Sequence, residues 1–278
     1  MWPVLITLGH FKLFSFSVLI IVAWCIFSFL FWKKLRSDAI DDDKIFDLTF
    51  YSTLAALVGS RLAFVYFNWP LFAATPLKIV TLWVQPGLSL YGAFLAGILT
   101  LISMSRQQKV RLGHILDALA LSFPAALIVG LLGALLDGSV IGNITSLPWA
   151  VRFVGHAGRR HPVELYEMIA LVVIAIVLSL LENRSVKDKW PYGVVGVWFF
   201  ILYSLFMFPL EFLKESHVYW ISLSANQWVL IAFFAEAVGA FYVRGGGREM
   251  IRPLVYRIRM SVQGFMGGIY AKFSKRNS

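Results

Sequence analysis

The segment GHAGRRHPVELYEM, residues 155–168, gathers two histidines, two arginines, two glutamates and a tyrosine in a chain of which only 14% of residues are charged. Adjacent guanidiniums at Arg159 and Arg160 offer the paired donors that the oxygens of a phosphate ester accept. His161 beside them supplies a group able to take or give a proton near neutral pH. Pro162 suits the first turn of a helix, where its missing amide proton costs nothing, and Glu164 suits the positive end of that helix's dipole. A helix beginning here sets Arg160, Glu164 and Glu167 on one face. Two readings fit the cluster: a site for a phosphorylated lipid headgroup, or a set of snorkelling charges that merely orders a helix entrance.

The elements that must position this cluster are membrane helices. Hydrophobic residues make up 59% of the 278, with 24 phenylalanines and 10 tryptophans, and the mean hydropathy is +0.75. A water-exposed fold does not carry that much apolar surface. Seven apolar stretches, near 12–32, 47–67, 87–105, 115–136, 162–182, 191–210 and 226–243, reach or approach the ~20 helical residues that cross a hydrocarbon core. They lack the alternation of a barrel strand, and in lipid a helix satisfies its own backbone. The expected fold class is an all-α membrane protein: a seven-helix transmembrane domain over residues 1–243 and a basic tail over 244–278. The first stretch has neither a charged leader nor a small-residue cleavage site, so it reads as a retained span. Cys25, the single cysteine, falls inside it and reads as a buried packing residue.

Lysine and arginine concentrate after spans one, three, five and seven, at Lys33, Lys34, Arg36 and Lys44, at Arg106, Lys109 and Arg111, at Arg184, Lys187 and Lys189, and in the tail. The positive-inside rule therefore predicts the amino terminus outside and the carboxyl terminus in the cytoplasm. The net charge of +10 sits mainly in these juxtamembrane segments, which points to anionic lipid and away from nucleic acid. No metal-ligand spacing and no glycine-rich phosphate loop occurs, so neither a metal nor a cofactor is expected.

Within the spans, Arg61, Asp117, Asp137, Glu211 and Glu236 are ionisable groups at membrane depth, expensive there unless paired or wet. Arg61, Asp117 and Glu211 are expected to line one polar cavity. Pairing among them that only fixes helix packing is the rival reading. Glu236, with no basic neighbour in sequence, is expected to find an adjacent helix.

RHPVELYE resembles the R-H-P-x-x-L-Y-E signature of bacterial prolipoprotein diacylglyceryl transferases. The likeness continues in order through GSRLAFVYFNWPLF, PGLSLYGAFLAGI, DALALSFPAALIVGLLGALLDGSVIG, LPWAVRF and LYSLFMFPLEFLK. It implies transfer of diacylglycerol from phosphatidylglycerol to the thiol of a prolipoprotein signal peptide, in the inner membrane of a bacterium. Phosphatidylglycerol and the prolipoprotein are thus the implied partners. The positions retained are Arg61, Asp117, Gly130, Gly142, Arg160, His161, Tyr166, Glu167, Tyr203 and Glu211. With Tyr91, which occupies a motif position without matching it, the resemblance implies a catalytic role for His161, Tyr91 and Glu211. It implies substrate binding for Arg61, Arg160, Tyr203, Glu167, Asp117 and Tyr166, to which the paired-guanidinium chemistry adds Arg159, with no metal.

The departures are as specific. Tyr91-Gly92-Ala93 stands where the family motif reads H-G-G, so a tyrosine replaces the motif's histidine. Leu131 and Met207 stand where it carries arginines, Asp137 replaces an asparagine, and a further asparagine and a glutamate are missing. Removing one such electrostatic contact typically costs about 2.7–4 kcal/mol of barrier. Three readings follow: a divergent transferase, a non-catalytic member that binds phospholipid or signal peptide, and a helical scaffold or permease-like protein.

Overall fold

The computed structural model describes residues 2, 4–8, 11–81, 85, 87–215 and 218–244. Seven helices follow one another: α1 (Ser15–Ser37), α2 (Asp42–Phe67), α3 (Leu90–Gln107), α4 (Leu112–Asp137), α5 (Val163–Lys187), α6 (Val194–Glu211) and α7 (Ala225–Arg244). Each answers to one of the apolar stretches. Among the described residues six are long and apolar enough to cross a bilayer, α3 being the one outside that set. The chain is thus a mostly helical, multi-pass membrane protein. The tail from residue 245 onward lies outside the described residues.

Two short hairpins were not expected from hydropathy: β1 (Val4–Leu8) pairs antiparallel with β2 (Phe11–Phe14) before α1, and β3 (Val218–Trp220) with β4 (Leu223–Ser224) before α7. Both lie at helix entrances, where the backbone must find partners outside a helix.

The two ends of the bundle differ. At one end the links 38–41, 108–111 and 188–193 are tight turns, with Ala39, Lys109 and Lys189 at φ of 60°, 57° and 52°. Lys34 and Arg36 in the last turn of α1, and Asp42 and Asp43 in the first turn of α2, complement the helix dipoles there. At the other end the links are long, and the one from α4 to α5 begins where Gly138, at φ 74°, stops α4 in a left-handed cap. The chemistry-bearing segment belongs to this long-loop end.

Helix α4 is the hub. It packs on α1, α5 and α6, within one apolar cluster that joins Phe31, Leu35, Ile45, Leu48, Ile115 and Ala118 and a second that includes Leu171, Ile174, Phe199, Met207 and Leu230. α2 and α3 form a close pair. A Cβ on Gly59 would stand 2.3 Å from that of Ala96, and one on Gly92 would stand 2.4 Å from that of Ala63. Small residues let helix axes approach in this way in a solvent that offers no hydrophobic drive. Cys25 is exposed on the outer surface of α1, a correction to the buried position expected for it. Inside lipid an apolar thiol gains nothing by hiding from the solvent.

Candidate functional site

Arg160 and His161 do not sit on a helix. α5 begins at Val163, and Arg160 sits in β-bridges with Ile144 and Val151, so the face shared by Arg160, Glu164 and Glu167 does not form. Arg160 exchanges backbone hydrogen bonds with Val151, its N–H reaching the Val151 carbonyl at 2.8 Å and its own carbonyl accepting at 3.0 Å. The His161 N–H donates to the carbonyl of Asn143 at 3.1 Å, and Asn143 in turn donates to the carbonyl of Leu213 at 2.7 Å. The Glu215 N–H closes the lattice on the Ile141 carbonyl at 2.8 Å. The α4–α5 loop and the residues after α6 are therefore one folded platform. Gly142 is required in it, because a Cβ there would stand 2.1 Å from the carbonyl oxygen of His161.

The platform immobilises charge. Arg160 is 7% exposed, donates from Nε to the Ala157 carbonyl at 3.2 Å and from Nη1 to the Gly142 carbonyl at 3.0 Å, and pairs with Glu215. Among the described residues its Nη2 makes no hydrogen bond. Lys214 bridges Glu167 at 2.7 Å and Glu211 at 2.9 Å. Burial works against the Lys214 charge, but the two carboxylates outweigh it and hold the ammonium above the ordinary lysine range. The other oxygen of Glu211 accepts from Ser224 at 3.2 Å and from Asn226 at 2.9 Å. The phenol of Tyr203 stands in the field of Glu167, Lys214 and Glu211. A polar cleft of about 250 Å³ opens here, lined by Asn143, Glu211, Lys214, Glu215, Ser224 and Gln227 among others.

His161 is half-buried, with Nδ1 3.4 Å from the hydroxyl of Tyr166. That hydroxyl accepts from the indole of Trp149 at 2.7 Å, which orients it. Arg159 is exposed beside them. Glu164 is the outlier: fully buried, and among the described residues neither carboxylate oxygen has a hydrogen-bond partner.

The structure divides the remaining candidates. Arg61 is buried and aims Nε, Nη1 and Nη2 at the carbonyls of Ile79, Gly87 and Lys78, at 2.8, 2.9 and 2.7 Å. It ties down the α2–α3 loop. Asp117 accepts from the backbone amides of Gly193 and Gly196 at 2.7 and 2.8 Å, capping the start of α6 from a neighbouring helix. Glu211 ends that same 18-residue helix, about 25 Å away at 1.5 Å per residue. The single cavity expected for Arg61, Asp117 and Glu211 is therefore not formed. Leu131 and Met207 pack in one apolar cluster with Tyr203, so the two substituted arginine positions are apolar and continuous with the core. Tyr91 begins α3, and its side chain lies outside the described residues. Asp137 is exposed at the end of α4.

Lys214, Glu215, Asn143 and Trp149 were not singled out by sequence reasoning. The signal for Lys214 and Glu215 was their position directly after Glu211 in LEFLKES, the one charge run at the long-loop end besides the opening segment.

Fold and site together define a multi-pass membrane protein with a polar platform at one end of its bundle. The model of the prolipoprotein diacylglyceryl transferase family matches residues 3–243, and the chain belongs to that family. It is similar to the phosphatidylglycerol–prolipoprotein diacylglyceryl transferase of Geobacter sulfurreducens, 29% identical over 217 residues that cover 77% of this chain and 82% of that one. The enzyme of the same name from Vibrio atlanticus is 30% identical over 220 residues, covering 77% and 78%. That of Methylococcus capsulatus is 27% identical over 223 residues, covering 78% and 83%.

Proposed function

We propose that the chain transfers the diacylglyceryl group of phosphatidylglycerol to the lipobox cysteine of a prolipoprotein, at the outer face of a bacterial cytoplasmic membrane that its seven helices span. A carbon–sulfur bond forms at the glyceryl carbon as the carbon–oxygen bond to phosphate breaks. Glycerol phosphate leaves with the electron pair, and the thiol proton passes to a base on the protein. The observation that carries this reading is the geometry of Arg160: a guanidinium fixed by two carbonyls and a carboxylate, with Nη2 free of hydrogen bonds among the described residues, in the residue next to His161. Nη2 and the exposed Arg159 supply the phosphate contacts that Leu131 and Met207 do not. His161 takes the thiol proton, its ring steadied by Tyr166 and Trp149. Tyr91, in the motif histidine's place, is the second base.

Glu211 has both oxygens engaged and Lys214 has two carboxylates, so these groups with Glu167 and Tyr203 position the platform rather than touch phosphate. Asp117 and Arg61 hold helices and loop in place. The reading is tested in a strain depleted of its own transferase, by following labelled palmitate into a lipoprotein. The wild-type chain should restore label. Arg160→Lys, which keeps a cation but loses the planar fork, should slow incorporation roughly 10²- to 10³-fold. A well-expressed wild-type chain that restores neither growth nor label would overturn transfer and leave a protein that binds phospholipid or signal peptide.

A further inference from the structure

Trp149, His161 and Tyr166 meet in an array whose hydrogen-bond directions follow from donor chemistry. The backbone pairing of Val151 with Arg160 brings Trp149 beside His161, and Tyr166 reaches both from the start of α5. An indole nitrogen is a donor only, so at 2.7 Å the Tyr166 oxygen accepts from Trp149. Nδ1 of His161 lies 3.4 Å from the same oxygen, with the two rings at 68°. A histidine that takes a thiol proton must present a lone pair to it. Nδ1 faces Tyr166, so the lone pair belongs to Nε2, and the ring proton of neutral His161 sits on Nδ1 and is donated to the phenol. The Tyr166 oxygen then accepts from both neighbours. Its own O–H is left as a donor with no acceptor among the described residues.

We propose that this O–H donates to a phosphate oxygen of the bound lipid and that Trp149 is the positioning residue behind it. The inference rests on the transferase reading, in which His161 is the base. Two N–H donors fix the phenol oxygen and draw density from it, which strengthens the O–H as a donor. When the thiol proton passes to Nε2, His161 becomes a cation and its Nδ1–H bond to the phenol strengthens, just as charge builds on the departing phosphate. Tyr166 keeps its own proton throughout and adds a neutral donor to the guanidiniums of Arg159 and Arg160. Trp149 touches no reacting atom and acts only through Tyr166. The rival role for a tryptophan that is 57% exposed at a membrane surface is an interfacial anchor, which needs its ring and not its bond to Tyr166.

The test uses the purified full chain in vesicles of phosphatidylglycerol diluted in phosphatidylcholine, with a lipobox peptide as acceptor and released glycerol phosphate as the readout. Trp149→Phe should lower kcat about tenfold, the scale of one hydrogen bond, and leave KM for the lipid within about twofold. Replacing Trp149 by β-(3-benzothienyl)alanine, which keeps the fused ring and loses only its N–H, should do the same. Tyr166→Phe should lower kcat roughly 10²-fold, the scale of one donor lost from a developing anion, and adding Trp149→Phe to it should cost nothing more. Nitrogen-15 spectra of histidine-labelled protein, with His161→Gln to identify the signal, should show the neutral ring protonated on Nδ1. Protonation on Nε2, full activity with the benzothienyl residue, or a Trp149→Phe loss that persists beside Tyr166→Phe would each overturn the inference while leaving an active transferase. A wild-type chain that releases no glycerol phosphate would overturn the transferase reading and this inference with it.

Discussion

Arg61 and Arg160 are equally buried, at 7% exposure, yet they are spent differently. Arg61 directs every nitrogen of its fork at a carbonyl of the α2–α3 region and stacks over Phe72 at 5.2 Å. Arg160 gives two nitrogens to the platform, and among the described residues the third makes no hydrogen bond. The same contrast separates the ends of the bundle. At the tight-turn end Asp117 is saturated by two amides, and Lys34 is held by Asp38 at 2.8 Å and Glu182 at 2.7 Å. At the long-loop end, among the described residues, neither Glu164 oxygen has a hydrogen-bond partner and the Arg160 fork makes no bond through Nη2. Burial and charge alone therefore do not mark a site in a membrane protein. A charge whose hydrogen bonds all close within the fold is architecture, and one that leaves a bond unmade has capacity for a ligand.

This contrast is sharpest at Asp117. Asp117→Ala leaves two amides of α6 bare at about 1–3 kcal/mol each, so the folded protein should lose roughly 3 kcal/mol or more in detergent unfolding. Asp117→Asn, which keeps one acceptor, should lose about half of that. A stable Asp117→Ala protein with impaired lipid transfer would move Asp117 from architecture to function.

Arg61→Lys should cost about 1–3 kcal/mol, for two of its three carbonyl bonds, and should open residues 72–89 to limited proteolysis. Transfer per folded molecule should stay within about twofold of wild type, in contrast to Arg160→Lys. Equal losses of transfer in both variants, with the loop still protected, would erase the distinction between the two arginines.

The smallest effect concerns Lys214, whose upward shift is what remains after burial and attraction oppose each other. A lysine held above its ordinary value adds stability that is complete below about pH 10.4 and fades as pH rises through the higher folded value. Thermal stability should therefore drop only on the alkaline side, and Lys214→Met should flatten that limb. An alkaline drop of the same size in Lys214→Met would assign it to other groups.

Hydropathy located all seven helices to within about five residues at each end, because in lipid a span must be both long and apolar and few segments satisfy both demands. The opening segment stood out as a candidate site for the converse reason: charge is scarce here, so a cluster of it is conspicuous. What pattern reading missed were polar groups with ordinary local sequence. Lys214 and Glu215 become part of the site only when the residues after α6 bond to the α4–α5 loop. Trp149 becomes so only when it meets Tyr166.

The helices, their order and the end of the bundle that carries the chemistry follow from composition and periodicity, since solvation by lipid acts on each segment independently of the others. Which buried charges are spent and which remain open was decided only by tertiary structure. A hydrogen bond depends on where two distant groups meet, as Asp117 meets Gly193 across 76 positions of sequence and Arg160 meets Glu215 across 55. Nothing in the spacing of either partner encodes that meeting.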